Sequence, residues 1–479
     1  MNWAEIAVSS VAALFAAFLG AVLTLASQQL ITARDRRRVR KAEQERFADM
    51  TIADGSSATS LKKLRLPEFE SRLPSAELNG PYFYLTEISL QNFRCFTDTT
   101  IALRYPYEAG TGRHKNVNLL LGNNGSGKSS VLRAVAMTAL GPILEGSATG
   151  FRPYRLVREG QAEARIAASF AFSSDTEGRQ LLAELSLRRR GTVEQIKWTP
   201  GGKSWGGVFD ESSPFFFVLG YGVNRRVADV ARAEPSLEVG RSGRRYQRVS
   251  SLFDETVALV PFGAWLPSAL KRRQGEVRDV LRRLLPENVE FTNRFEGEQP
   301  VFRRNGIEVP FRALSDGLQS YVGWLGDLLF HLDAAAPAYA FHEVGGIVMV
   351  DEIDLLLHPA WQRDVVPTVG GLFPKIQFIF TTHSPIVTGT LESQNLILAE
   401  ESLEDSNSVL RRLDARVHGL SAEQLLLSSY FDLRSTRAPD AMPALEDLAR
   451  RAVDGDETAR RKYIDALARG LPTEEPLGD

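Results

Sequence analysis

The spacing of hydrophobic and polar positions changes along the chain, and each change predicts an element. Residues 6–26, "IAVSSVAALFAAFLGAVLTLA", carry no charge. A helix needs roughly 20 apolar residues to cross the hydrocarbon layer. The run that follows, "RDRRRVRKAEQER" (34–46), holds seven basic and three acidic side chains. Basic residues beside a span tend to stay cytoplasmic. The pattern predicts one transmembrane anchor over 1–33, then a basic juxtamembrane segment and linker over 34–81. It places the chain in the cytoplasmic membrane as a single-pass protein, with everything after residue 33 in the cytoplasm. A cleaved signal peptide would want basic residues before the apolar stretch, and "MNWAE" has none. A buried amphipathic helix would show a polar face, and 6–26 shows only small residues there. Ala12, Ala16 and Gly20 repeat at a spacing that lets two spanning helices approach closely.

Alternation begins at "YFYLTEISLQNFRCFTDTTIAL" (82–103), which predicts two strands broken near Asn92–Cys95. "NVNLLLG" (116–122) is a short apolar run, the pattern of a strand buried on both faces. "SSVLRAVAMTALG" (129–141) then reads as a helix. The next stretch, to about 305, holds strand-like runs ("ARIAASFAF", "LAELSLRR", "PFFFVLGYG") and a helix over 264–284. Residues 305–400 return to strand–helix alternation. The tail, 419–479, reads as helices, with Ser421 and Gln424 spaced as a capping box. No heptad pattern lasts long enough for an extended coiled coil.

Composition changes this picture little. The 479 residues are 43% apolar and 24% charged, which supports a sizeable core. The net charge of −2 gives no case for nucleic acid from the total. Composition supports DNA only through local basic clusters: Arg188–Arg190, Arg225–Arg226, "GRSGRRYQR" (240–248) and "KRRQ" (271–274). DNA as a partner stays open. The single cysteine, Cys95, excludes an internal disulfide and a CxxC zinc site.

The chemistry is carried by "GNNGSGKS", Gly122 to Ser129, a match to GxxxxGK[ST] between a predicted strand and a predicted helix. Gly122, Asn123, Asn124, Gly125, Ser126 and Gly127 form a loop whose backbone N–H groups close around phosphate. The helix N-terminus at Lys128, Ser129 and Ser130 adds positive potential. Lys128 suits the β and γ phosphates of ATP, and the Ser129 hydroxyl suits Mg²⁺. "GGIVMVDEID" (345–354) supplies the acidic strand end that such a loop requires. There Asp351 is the metal-side acid and Glu352 the base for an attacking water. "IQFIFTTHSP" (376–385) ends a further strand at His383, placed to sense the γ-phosphate. Glu352, His383 and Lys128 are the catalytic candidates. "ALSDGLQSY" (313–321) reads as a second anion-binding turn at a helix start, with Ser315 also suited to cap that helix.

In order, these motifs resemble the ABC-type head of the SMC, Rad50, RecF and OLD-like ATPases. "ISLQNFRCF" also looks like the first strand and turn of such heads. The likeness is nearest to compact bacterial ATPases of AAA type found in phage-defence systems, and it covers about residues 82–440. It implies an α/β P-loop fold with a mixed sheet: a head over 82–418, an inserted helical and β lobe at about 173–305, and a helical C-terminal segment over 419–479. It also implies that Ser315, Gly317 and Gln319 are signature residues capping ATP on a second head. The result would be a homodimer with ATP sandwiched between heads, and Arg94 near the phosphates. Gln161 stands near the place of the family's Mg²⁺-sensing glutamine, although Arg165 competes for the aligned position. His358 replaces the acid common in the turn after Glu352, and the resemblance implies a place for it at the dimer interface. No nuclease-like acidic cluster follows Pro385. Three functions follow. One is a membrane-anchored nucleotide switch in phage defence or DNA-damage sensing, with a separately encoded effector. The others are a DNA-maintenance ATPase and the ATPase subunit of a transporter.

Overall fold

The computed structural model describes residues 82–109, 112–145, 151–172 except 152, 180–201 except 192, 209, 216–228, 245–401, 407–438 except 434, and 441–469. The strands are β1 (Phe83–Phe93), β2 (Phe96–Ala102), β3 (Val117–Leu121), β4 (Glu163–Phe172), β5 (Gln180–Arg190), β6 (Val193–Gly201), β7 (Val218–Tyr221), β8 (Val289–Glu296), β9 (Gln299–Arg304), β10 (Ile307–Pro310), β11 (Gly346–Val350), β12 (Ile376–Thr381), β13 (Leu396–Glu401) and β14 (Ser408–Arg411). The longer helices are α1 (Lys128–Leu140), α2 (Phe262–Leu284), α3 (Asp316–Ala335), α4 (Pro359–Leu372), α5 (Ala441–Val453) and α6 (Glu457–Arg469).

Among the described residues, eleven strands form one mixed sheet in the order β6-β5-β4-β1-β2-β14-β13-β3-β12-β11-β7. The half from β13 through β3, β12 and β11 to β7 is parallel. The half from β6 to β2 is antiparallel. β3 and β11 are buried at every position, because parallel strands take cover on both faces. Their side chains alternate between two cores, as a period of two requires. Leu119, Leu121, Val348 and Val350 join α2, α3 and α4 on one face. Leu120, Ile347 and Met349 join α1 and the antiparallel strands on the other.

Two buried amides tie the halves together. Gln377 Nε2 donates to the carbonyls of Leu85 and Arg104, both at 2.7 Å, and its Oε1 accepts from the Leu85 amide at 2.9 Å. Asn118 exchanges a pair of 2.8 Å bonds with the Arg104 backbone. The break between β1 and β2 falls where alternation predicted it, at Asn92 and Arg94, both with φ of 51°. The capping box at Ser421 and Gln424 forms in both directions.

Two sheet regions escaped the sequence reading. β6 is an edge strand, mostly exposed or half-buried, so its polar side chains hide the pattern. β8, β9 and β10 form a separate antiparallel sheet. The Asn305–Gly306 turn between the last two, with φ of 50° and 86°, was a legible hairpin signal.

The expected anchor is corrected. No helix among the described residues is long and apolar enough to cross a membrane. The longest, α2, carries Lys271, Arg272 and Arg273 within its span, where a membrane helix needs about 20 apolar residues in a row. Residues 6–26 lie outside the described residues, as does the basic segment 34–46. The cytoplasmic-membrane placement is therefore withdrawn.

Candidate functional site

The site starts where β3 gives way to the glycine loop. Gly122 (φ 141°) and Gly127 (φ 99°) adopt backbone that favours glycine. A Cβ on Gly122 would lie 2.1 Å from the Ala399 carbonyl oxygen. One on Gly127 would lie 2.5 Å from Cys95 Sγ. The loop can close only with glycine at both places. Lys128 opens α1, and its ammonium donates to the carbonyls of Gly122 (2.8 Å) and Asn123 (2.9 Å). Burial lowers its pKa, while Asp351, Glu352 and Asp354 oppose the shift. The Ser126 hydroxyl is buried without a hydrogen-bond partner, which suits an acceptor brought in by a ligand.

A cleft of about 380 Å³ lies over this loop. Its walls include Arg94, Cys95, Asn124, Gly125, Gly127, Lys128, Ser129, Ser130 and Arg133. Across from them stand Asp351, Glu352 and His383. β3, β12 and β11 are adjacent parallel strands, so their C-terminal ends deliver all three motifs to one edge.

The acidic turn is tightly built. Asp351 is 4% exposed, and its Oδ1 accepts from the Thr381 hydroxyl at 2.6 Å. The same hydroxyl oxygen accepts from the Glu352 amide at 2.7 Å. Glu352 sits at φ 47°, a left-handed conformation that costs a non-glycine residue of order 1 kcal/mol or more. Burial raises the pKa of its carboxyl, with Asp351 and Asp354 adding to the effect and Arg225 and Lys128 opposing it. His383 is pushed below its usual value by burial and then by Lys128, which favours the neutral ring.

The second anion turn is elsewhere. Ser315 holds the N-cap position of α3, yet its side chain makes no cap bond, so the expected capping role is not taken up. It is exposed. Gln319 folds back on the turn, donating to the carbonyls of Leu314 (2.7 Å) and Arg312 (3.1 Å). A Cβ on Gly317 would lie 2.4 Å from the Leu356 carbonyl oxygen, so this turn packs directly on the segment after Glu352. Ser315, Gly317 and Gln319 are not among the residues lining the cleft. Gln161 is not there either: it is exposed in the turn before β4, with its amide on the Arg158 carbonyl. Arg165, its competitor, is exposed and pairs with Glu163. His358 caps α4, its Nδ1 accepting from the Ala360 amide at 3.2 Å.

Thr381, Arg133 and Arg225 were missed by the sequence reading. Arg133 had a signal, since it lies four residues after Ser129 on the same helix face. Arg225 and Arg245 of the basic clusters prove to be internal, whereas Arg188, Arg226 and Arg272 are exposed. Arg225 is 4% exposed. Arg245 is buried over the Phe216 ring. Arg272 and Arg273 pair with Asp333, and Arg188 with Glu163. Residues 240–244 lie outside the described residues.

Comparison with known proteins adds the following. Residues 87–202 match the family described as "AAA domain". Residues 241–388 match "AAA domain, putative AbiEii toxin, Type IV TA system". The chain is 25% identical over 372 residues to the Septu protein PtuA of Bacillus mycoides (strain KBAB4), which covers 77% of this chain and 47% of that one. It is 38% identical over 99 residues to the retron Ec83 probable ATPase of Escherichia coli, covering 20% of this chain and 18% of the relative. It thus spans less than half the length of these relatives. A search of solved structures returns the SMC head domain from Thermotoga maritima, at 16% identity and a TM-score of 0.39, over 69% of this chain and 99% of that one. The two family models and the retron relative support an ATPase of the AAA kind.

Proposed function

We propose that the chain binds ATP with Mg²⁺ in the Lys128 cleft and hydrolyses it at composite sites, two heads closing on each other around the nucleotide. The observation that supports this most is the separation of two anion-binding turns. One lines the cleft with Lys128, Asp351 and Glu352. The other presents an exposed Ser315 whose hydroxyl caps nothing, outside that cleft. That arrangement leaves the Ser315 turn open to a phosphate held by a second copy.

In this reading Lys128 binds the β and γ phosphates, and the buried Ser126 hydroxyl gains a partner. The hydroxyl of Ser129 and the carboxylate of Asp351 would hold Mg²⁺. The metal's contribution is to neutralise charge on the phosphate oxygens. Glu352 orients the attacking water and takes its proton, for which a raised pKa is suited. Neutral His383 meets the γ-phosphate, and Arg94 meets phosphate from the β1–β2 turn. Ser315 and the N-terminus of α3, from the other copy, cap the same group. ATP then holds two chains together, and hydrolysis releases them.

The likeness to phage-defence ATPases, with the Septu and retron relatives, supports a role as a nucleotide-driven switch beside a separately encoded effector. The test is ATP hydrolysis by the full-length chain with Mg²⁺, with and without double-stranded DNA, alongside its sedimentation with ATP. Hydrolysis with ATP-dependent association supports the reading. Hydrolysis by a chain that stays monomeric overturns the composite site. Stimulation by DNA that is lost at high salt would bring nucleic acid back as the trigger.

A further inference from the structure

Arg225 follows β7, the strand beside β11 at the edge of the large sheet. By sequence it belongs to a basic pair suited to a nucleic-acid surface, yet it is buried. Burying a guanidinium is costly unless its hydrogen bonds are largely met. Here both terminal nitrogens are met by backbone carbonyls, two of them in the acidic turn, while Nε is left without a partner. Nη1 donates to the Asp351 carbonyl and, at 3.3 Å, to that of Gly222. Nη2 donates to the Glu352 carbonyl at 2.8 Å. The Glu352 amide is already held by Thr381. Glu352 is therefore gripped on both sides of its left-handed α-carbon. Two consecutive carbonyls need two donors in a fixed fork, which a guanidinium has and an ammonium lacks.

We propose that Arg225 is a positioning residue for Glu352: its guanidinium fork clamps the carbonyls of Asp351 and Glu352, holding the strained turn that aims the Glu352 carboxylate. This rests on the ATPase reading above. The group stays cationic near neutral pH, although burial brings its pKa down to about 10. The nearby carboxylates of Asp351, Glu352 and Asp354 oppose that fall. Arg225 does not line the cleft, so its effect passes through the backbone of the turn rather than through contact with substrate.

The test compares full-length wild type with Arg225→Lys and Arg225→Met. Three things are measured: kcat, the Kd for a fluorescent ATP analogue with Mg²⁺, and hydrogen exchange across 351–354. A misplaced catalytic group can cost about 100-fold. The expected result is a loss in kcat of that order with unchanged Kd, smaller for Arg225→Lys. No further loss is expected when Arg225→Met is added to Glu352→Gln. Exchange of the turn should speed up about tenfold or more. Wild-type kcat in both variants overturns the proposal, as does a loss of ATP binding in parallel with hydrolysis. If wild type hydrolyses nothing, the ATPase reading falls. The exchange data then decide the clamp alone, and equal exchange in all three proteins overturns it. If Arg225→Met does not fold, Arg225→Lys carries the same outcomes.

Discussion

The chain offers anions two helix starts, at Lys128 and at Ser315, and they are finished differently. The first lies in a cleft and is largely self-satisfied: Lys128 neutralises loop carbonyls while it faces Asp351 and Glu352. The second is exposed, and its N-cap hydroxyl is uncommitted. Gln319 is occupied in shaping the turn. The contrast teaches that completeness is local. One terminus faces polar groups of its own chain, while the other faces solvent. The two are still linked mechanically, since Gly317 packs on Leu356, four residues past Glu352.

The largest expected effect comes from the first terminus. Lys128→Ala should lose ATP binding altogether, read by equilibrium titration, because no other lysine among the described residues lines the cleft. Glu352→Gln should lower kcat by about 10² to 10⁴-fold, the range for a general base, while ATP binding and ATP-dependent association remain. Loss of ATP binding in that variant would show Glu352 to be structural. Ser315→Arg should bind ATP with ordinary affinity as a monomer yet neither associate nor hydrolyse. If it hydrolyses normally, the contrast between the two termini has no functional meaning. The smallest effect is on stability. His383 and His114 both have folded pKa values below the usual 6.5, lowered first by burial. The unfolded chain therefore takes protons first as pH falls. Their contribution is present above about pH 6.5 and is lost as pH drops through that value. The melting temperature should fall between pH 7.5 and about 5.5. His383→Asn should flatten, without abolishing, that slope.

Much of the first terminus was legible from local pattern. β3, β11 and β12 are buried on both faces, so their apolar runs stood out, and the motifs at their ends inherited a common edge. Gly122 and Gly127 could be read because only glycine fits there. What was not legible depended on contacts far apart in sequence. Thr381 and Arg225 converge on Glu352 from 29 and 127 residues away. Arg225 looked like surface charge because composition cannot distinguish a buried guanidinium from a solvated one. The apolar run at 6–26 was legible as a span, but no described helix meets that requirement. The three-stranded sheet of β8, β9 and β10 was lost because β10 has only four residues and both outer strands are partly exposed, although Asn305–Gly306 marked its turn.

The central claim is that Ser315 serves the nucleotide of another copy, and mixing two dead variants tests it most directly. Lys128→Ala keeps its Ser315 turn, and Ser315→Arg keeps its Lys128 cleft. In a mixed pair, one cleft and one turn are both intact and face each other. The account predicts that each variant alone hydrolyses nothing, while an equal mixture regains up to about half of the wild-type rate, since neither variant pairs with itself and each mixed pair holds one whole site of two. A mixture as inactive as its components, with mixed pairs shown to form, would contradict it.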